Sequence, residues 1–179
     1  MAVKRLLDII FSFICMVALS PVLLIIALLI LATVPGSVVF TQERVGRNGE
    51  VFRILKFRTM AGRGRHKEKV VGIGAFLRRT KLDELPQLLN VLAGDMSFVG
   101  PRPYVVEESR GLPAERFRMR PGLTGLAQVY GNTHLSWEER TAYDIEYVRN
   151  WSVCLDVKIL LRTVKVIVDG EEACVRHRS

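Results

Sequence analysis

The chain is poor in cysteine and histidine, and over one long stretch it has no charge at all. Its three cysteines, Cys15, Cys154 and Cys174, are odd in number and widely spaced. That excludes a disulfide framework and a cysteine-type zinc site, and it suits a reducing compartment. The three histidines, His66, His134 and His177, match no metal-binding spacing. From Ile9 to Gln42 no Asp, Glu, Lys or Arg occurs, which excludes an ordinary solvated segment there. Aromatic residues make up 8% of the chain. They do not interleave with the basic residues as stacking platforms for single-stranded nucleic acid would, so nucleic acid is not an expected partner.

What fills the uncharged stretch is apolar, from Leu6 to Phe40. A helix crossing a bilayer needs about 20 such residues, so a single spanning helix is one reading. Three features favour a re-entrant helix–break–helix hairpin over residues 1–40. Ser20-Pro21 sits near the middle; proline removes the bond to the Val17 carbonyl, and the Ser20 hydroxyl can bond back to Met16 or Val17. The arms Ile9–Leu19 and Val22–Thr33 would each measure roughly 17–18 Å, against a hydrocarbon core of about 30 Å. Both flanks are basic, Lys4 and Arg5 before and Arg44 and Arg47 after, which puts both ends on the cytoplasmic side. The run is too long for a cleaved signal peptide.

The remaining residues, 41–179, are enough for one core. Their charge is uneven. Between Arg44 and Lys81 there are 12 Lys/Arg against two acids, whereas from Leu82 onward 12 Lys/Arg face 14 acids. A cationic field beside an apolar anchor favours lipid headgroups and phosphorylated substrates as partners. Val38–Thr41 and Val51–Leu55 are β-prone around the turn Gly46-Arg47-Asn48-Gly49, which predicts a small antiparallel hairpin. Residues 61–69 read as a loop, and Gly72–Arg79 as a short helix with Phe76 and Leu77 on one side.

Straight after the cationic region stand two adjacent carboxylates, Asp83 and Glu84. Leu85, Leu88, Leu89 and Leu92 mark one helical face, and Gly94 is a fitting stop. Pro86 is tolerated only in a first turn, so the helix is predicted to begin at about Asp83. Asp83 is then either a plain N-cap with Glu84 as first-turn acid, or an ionised nucleophile poised where a helix N-terminus and nearby arginines draw phosphate.

Longer motifs weigh on that choice. They are Lys4-Arg5-Leu6-Leu7-Asp8, Ser20-Pro21, Gln42-x-Arg44-x-Gly46-x-Asn48-Gly49, Lys56-Phe57-Arg58-x-Met60 and Arg78-Arg79-Thr80. Asp83-Glu84-Leu85-Pro86-Gln87, Gly94-Asp95-Met96-Ser97 and Gly100-Pro101-Arg102-Pro103 follow. Arg120-Pro121-Gly122-x-Thr124-Gly125 and Asp144-x-x-Tyr147-Val148-x-Asn150-Trp151-Ser152 close the series. In this order the chain resembles the bacterial sugar transferases, monotopic phosphoglycosyl transferases that load a sugar phosphate onto undecaprenyl phosphate. It departs from them at Ala32–Ser37, where the family commonly has a short polar stretch, and in a basic loop at 61–69.

The resemblance implies that Asp83 is the nucleophile and Glu84 its partner, with one or both beside a magnesium ion. It associates Arg78 and Arg102 with phosphate binding and marks Lys56 and Asp144 as further functional positions; Arg58 joins them as a basic neighbour on the strand. It implies a UDP-sugar and a polyprenyl phosphate as substrates, in a two-step reaction at the cytoplasmic face of the inner membrane. The expected architecture is mainly helical α+β: a membrane hairpin over 1–40 and a cytosolic catalytic domain over 41–179. Ser136-Trp137-Glu138-Glu139 is a capping box opening a helix through Asn150, and Leu155–Val168 is an amphipathic helix with core contacts and a membrane-facing edge. A homodimer is compatible with the sequence, but nothing in it selects one. The contrasting reading is a membrane-anchored basic module that binds anionic lipid without catalysis. An aspartyl phosphatase is a third.

Overall fold

In a computed structural model of the chain, described for residues 2–34, 36–61, 69–70, 72–131 and 134–169, the apolar run forms one helical element, α1 (Ala2–Thr33). Helical backbone continues through Pro21, so the expected helix–break–helix is not seen as two separate arms. The physical reason lies next to the proline. The Ser20 hydroxyl donates to the Val17 carbonyl at 2.8 Å, satisfying the acceptor that Pro21 leaves open.

α1 is polar inside and apolar outside. Its buried residues in the first half are Lys4, Asp8 and Ser12, spaced four apart, while Leu6, Phe11, Phe13, Ile14 and Val17 are exposed. This inverts the pattern of a soluble amphipathic helix and is consistent with membrane association. Lys4 and Arg5 do not simply flank the membrane as the sequence suggests. Lys4 pairs with Asp156 at 2.5 Å, and Arg5 donates to the Val91 and Leu92 carbonyls at 2.5 and 2.8 Å. Asp8 accepts from the Ser97 hydroxyl and the Phe98 amide. At the other end, Ile26, Ile30 and Val34 pack into a cluster with Phe57 and Leu77. Both ends of α1 therefore lie on the same domain.

β1 (Val39–Val45) and β2 (Val51–Phe57) form the expected antiparallel hairpin, longer than the β-prone cores alone. Its turn, Arg47–Gly49, places Asn48 at φ 57, a left-handed conformation that asparagine tolerates. β3 (Met60–Ala61) pairs with β4 (Lys69–Val70); of the expected loop at 61–69, residues 62–68 lie outside the described residues. A short helix follows, α2 (Gly74–Arg79), with Leu77 buried but Phe76 exposed.

The predicted helix start at Asp83 is displaced. A 3-10 turn spans Leu82–Glu84, and α3 (Gln87–Ala93) begins after Pro86, its N-cap, with no side-chain capping bond. Asp83 is thus not a cap. The buried face also rotates from the leucine pattern, to Gln87, Leu88, Asn90 and Val91, leaving Leu89 exposed. Asn90 is the cause. Its amide oxygen accepts from the Leu55 amide at 3.0 Å, and its nitrogen donates to the Arg53 carbonyl at 2.8 Å. One side chain thereby completes the open edge of β2 and ties α3 to the hairpin. Gly94, at φ 100, stops the helix as expected.

β5 (Ser97–Val99) and β6 (Gly122–Thr124) run parallel, a pair the sequence does not suggest. Gly100 and Gly122 touch backbone to backbone, with no room for a Cβ at either. α4 (Leu126–Val129) leads to α5 (Trp137–Arg149), which opens on the expected Ser136/Glu139 capping box. α6 (Val153–Asp169) buries only Ile159 fully, while Leu161, Val164, Ile167 and Val168 are exposed along its outer side. The core joins Val99, Met119, Leu126, Tyr147 and Ile159. The architecture is mainly helical with a small antiparallel hairpin and an N-terminal apolar helix.

Candidate active site

The carboxylates sit in a turn whose shape is fixed on both sides. The chain leaves α2 through Thr80 and reverses at Lys81, whose φ of 59 is unusual for a side chain with a Cβ. The Glu84 amide bonds the Lys81 carbonyl, which holds the 3-10 turn. Pro86 then sets the entry to α3. Backbone conformations of this kind concentrate where a site needs a fixed direction.

The turn aims its two carboxylates into different cavities. Asp83, 7% exposed, lines a polar cavity of about 320 Å³ with Arg44, Lys56, Arg58 and Arg78. Glu84 lines a second cavity with Lys81 and Arg102. Lys56 lies between them and donates to Glu84 at 2.7 Å. The structure thus brings together Asp83, Glu84, Lys56, Arg58, Arg78 and Arg102 from four segments of chain.

Their electrostatics differ. Burial, followed by the adjacent Glu84 charge, pushes the Asp83 carboxyl above its ordinary value; Lys56 and Arg78 pull against this. Burial also pushes Glu84 upward, but the bonded Lys56, with Arg102 and Lys81, outweighs it and holds Glu84 below the usual carboxylate range. Glu84 is the fixed anion of the pair. Asp83 is the one whose protonation the surroundings tune.

Asp144 is elsewhere. It is fully buried on α5 and pairs with Arg116, whose Nη2 is 2.7 Å from its carboxylate. Arg116 also donates to the Arg102 carbonyl and stacks over the Tyr104 ring, 4.4 Å from its centroid. Asp144 therefore stands behind Arg102 and holds its backbone through Arg116. Arg58 is held in the same way from the side chain: its Nη2 donates to the Ser37 hydroxyl at 2.8 Å, just past the end of α1.

Sequence reasoning gave no part in the site to Arg44, Gln87 or Arg116, and read Arg44 only as a basic flank of the apolar run. Arg44 reaches the Pro103 carbonyl and the Gln42 amide while lining the Asp83 cavity. Burial and the nearby Arg102 charge lower its pKa, against the pull of Glu108 and Glu84. Its signal was its place in the Gln42-x-Arg44 motif. Arg116 had none, being one basic residue in an unpatterned segment.

Among the described residues no group of three or more His, Cys, Asp or Glu could hold a metal by itself. Two adjacent carboxylates beside a cationic cavity fit a hard divalent ion that takes its remaining ligands from water and substrate phosphates, as magnesium does.

A dyad split between two cavities, mounted on an apolar helix, can be set beside known proteins. The family model described as bacterial sugar transferase matches residues 1–170. The chain belongs to the bacterial sugar transferase family. A UDP-glucose:undecaprenyl-phosphate glucose-1-phosphate transferase of Caulobacter vibrioides is 42% identical, over 95% of this chain and 71% of that protein. A protein of the same name from Klebsiella pneumoniae is 42% identical over 92% of this chain, which spans only 40% of it. The exopolysaccharide production protein ExoY of Sinorhizobium fredii is 37% identical, covering 92% and 84% of the two chains. Within this family the chain is a sugar transferase, and its N-terminal apolar helix is consistent with membrane association.

Proposed function

We propose that the chain is a phosphoglycosyl transferase that moves a sugar phosphate from a UDP-sugar to undecaprenyl phosphate, giving a polyprenyl-diphospho-sugar and UMP. This would be the first membrane step of glycoconjugate assembly. The observation that carries the reading is the placing of Asp83 in the wall of a cavity with four cationic side chains, Arg44, Lys56, Arg58 and Arg78. Such a cavity suits a diphosphate beside a carboxylate nucleophile. The activities for which the Caulobacter and Klebsiella relatives are named support it.

In the first step an Asp83 oxygen attacks the β-phosphorus of the UDP-sugar. A P–O bond to that phosphorus forms, the bond from it to the bridging diphosphate oxygen breaks, and UMP leaves with the electron pair. In the second, an oxygen of the lipid phosphate attacks the same phosphorus, the aspartyl bond breaks, and Asp83 is restored as carboxylate. Splitting the transfer lets a soluble donor and a membrane-bound acceptor use one nucleophile in turn. Arg78 and Arg58 hold the donor phosphates, while Lys56 spans the two carboxylates. One or both of Asp83 and Glu84 would hold a magnesium ion, which would supply charge neutralisation at the transferred group.

The proposed setting is monotopic, with α1 re-entering from the cytoplasmic face of the inner membrane. Two features support it: both ends of α1 pack on one domain, and its outward face is apolar. Asp83→Asn tests the chemistry. Purified protein given UDP-sugar and magnesium without lipid should release stoichiometric UMP, and the variant should lose more than about 10⁴-fold of that release. Near-normal release by the variant removes Asp83 from the role. No release by the parent, with lipid binding intact, favours the non-catalytic module.

A further inference from the structure

The far end of α1 packs against the walls of the Asp83 cavity. Phe57, Leu77 and Leu82 lie in one apolar cluster with Ile26 and Ile30 of α1 and with Val34 just after it. Each of the three stands directly before a residue of the cavity, namely Arg58, Arg78 and Asp83. Two of the cations and the carboxylate thus share a foundation, and that foundation is the end of the helix whose outward face is apolar.

The chain leaving α1 then closes on Arg58 itself. The guanidinium donates from Nη2 to the Ser37 hydroxyl at 2.8 Å, and that hydroxyl donates onward to the Val39 carbonyl at 2.7 Å. The onward bond commits the hydroxyl proton, so its oxygen faces the guanidinium as an acceptor. The Arg58 amide donates to the Val38 carbonyl at 2.8 Å. At Gly36 a Cβ would stand 2.6 Å from Nη1 of Arg58, so any side chain there would push the guanidinium aside. Held in this way, Arg58 still has a group to spare: its Nε–H is buried, with no hydrogen-bond partner among the described residues. A buried donor left unmatched is destabilising, unless a ligand oxygen meets it.

We propose that the exit of α1 is a positioning element of the donor site, in which Gly36 and Ser37 set the Arg58 guanidinium to meet a phosphate oxygen of the donor. The inference rests on the transferase reading above and adds to it two residues that act through Arg58. It gives work to the stretch Ala32–Ser37, where the chain departs from the common pattern of its family. What Ser37 supplies is direction, because Arg58 stays cationic without it; a planar fork anchored at one nitrogen presents the others at fixed angles. Loss of the Ser37 hydroxyl therefore weakens donor binding and leaves the attack by Asp83 intact.

The test reads binding and chemistry separately in the full chain. Binding is titrated with UDP and magnesium, UDP being the part common to every such donor, and chemistry is the rate of UMP release at saturating UDP-sugar. Ser37→Ala should weaken UDP binding about fivefold and keep the saturated rate within about twofold of the parent. Ser37→Thr retains the hydroxyl at an exposed position and should restore binding. In an Arg58→Ala background, Ser37→Ala should weaken binding no further, whereas a variant that merely loosens the fold would weaken it again. Unchanged UDP binding by Ser37→Ala in a chain that releases UMP overturns the positioning role alone. A loss that threonine does not restore, or an equal loss with and without Arg58, overturns it too, as does a parent that binds no UDP. Weakened UDP binding by Ser37→Ala, absent without Arg58, in a chain that releases no UMP upholds the positioning role and refutes the two-step reading.

Discussion

Asp83 and Glu84 are chemically alike and adjacent, yet their surroundings give them different work. To act as the proposed nucleophile Asp83 must be ionised; burial and the Glu84 charge make that harder, while Lys56 and Arg78 make it easier. The acid limb of UMP release should therefore follow Asp83 and lie above its ordinary carboxylate range. Replacing Lys56 by Met removes one of the two opposing cations, so the limb should move to still higher pH, with the plateau rate falling about 10²-fold. A limb that stays in place, or moves to lower pH, would assign it to another group.

Asp144 and Arg116 form an ion pair that is almost fully buried. Arg116→Met alone leaves a buried carboxylate without its partner and should cost about 3–5 kcal/mol, read as a lowered Tm. Adding Asp144→Leu should recover most of that loss. The double variant still lacks the bond to the Arg102 carbonyl, so its KM for phosphorylated substrates should remain raised although the fold has returned. Full recovery of KM together with Tm would make the pair structural only.

Among the elements, α3 is held at its middle and at its C-terminus by contacts with segments remote in sequence. Asn90 joins it to β2, and Arg5 of α1 covers the carbonyls of Val91 and Leu92 at its C-terminus. Gly94 leaves room for that arginine, since a Cβ there would stand 3.3 Å from the Arg5 guanidinium. Gly94→Ala should destabilise by about 1–2 kcal/mol for its left-handed backbone, with a further loss from displacing Arg5. Arg5→Ala combined with Gly94→Ala should then cost less than the sum of the two, measured by thermal unfolding. Strict additivity would separate the two effects. Through this contact the apolar helix braces the element that follows the dyad.

At the scale of the whole molecule, α1 decides the orientation of everything else. It is about 48 Å long, more than a hydrocarbon core of about 30 Å, yet Lys4 and Val34 both pack on the catalytic domain. Single cysteines at Ala2 and Thr41, in a chain freed of its native thiols, should be labelled from the same face of sealed vesicles. Labelling of one from each face would establish a spanning helix and place part of the domain's docking surface out of reach.

The elements carried by short-range rules were legible in the sequence. Alternation and turn residues marked the β1–β2 hairpin, a capping box opened α5, and Gly94 ended α3, because each depends on neighbours a few residues away. The apolar run declared α1, and motif order declared the family and the dyad. The sequence could not disclose that α1 turns Lys4, Asp8 and Ser12 inward, because the partners of Lys4 and Asp8, namely Asp156, Ser97 and Phe98, are 89 to 152 positions away. The same distance in sequence hid Arg116 behind Arg102, Asn90 on the edge of β2, and the parallel pairing of β5 with β6. The adjacent carboxylates were visible from the start. Only tertiary packing could point them into separate cavities, because a cavity is made by chain segments that no local rule relates.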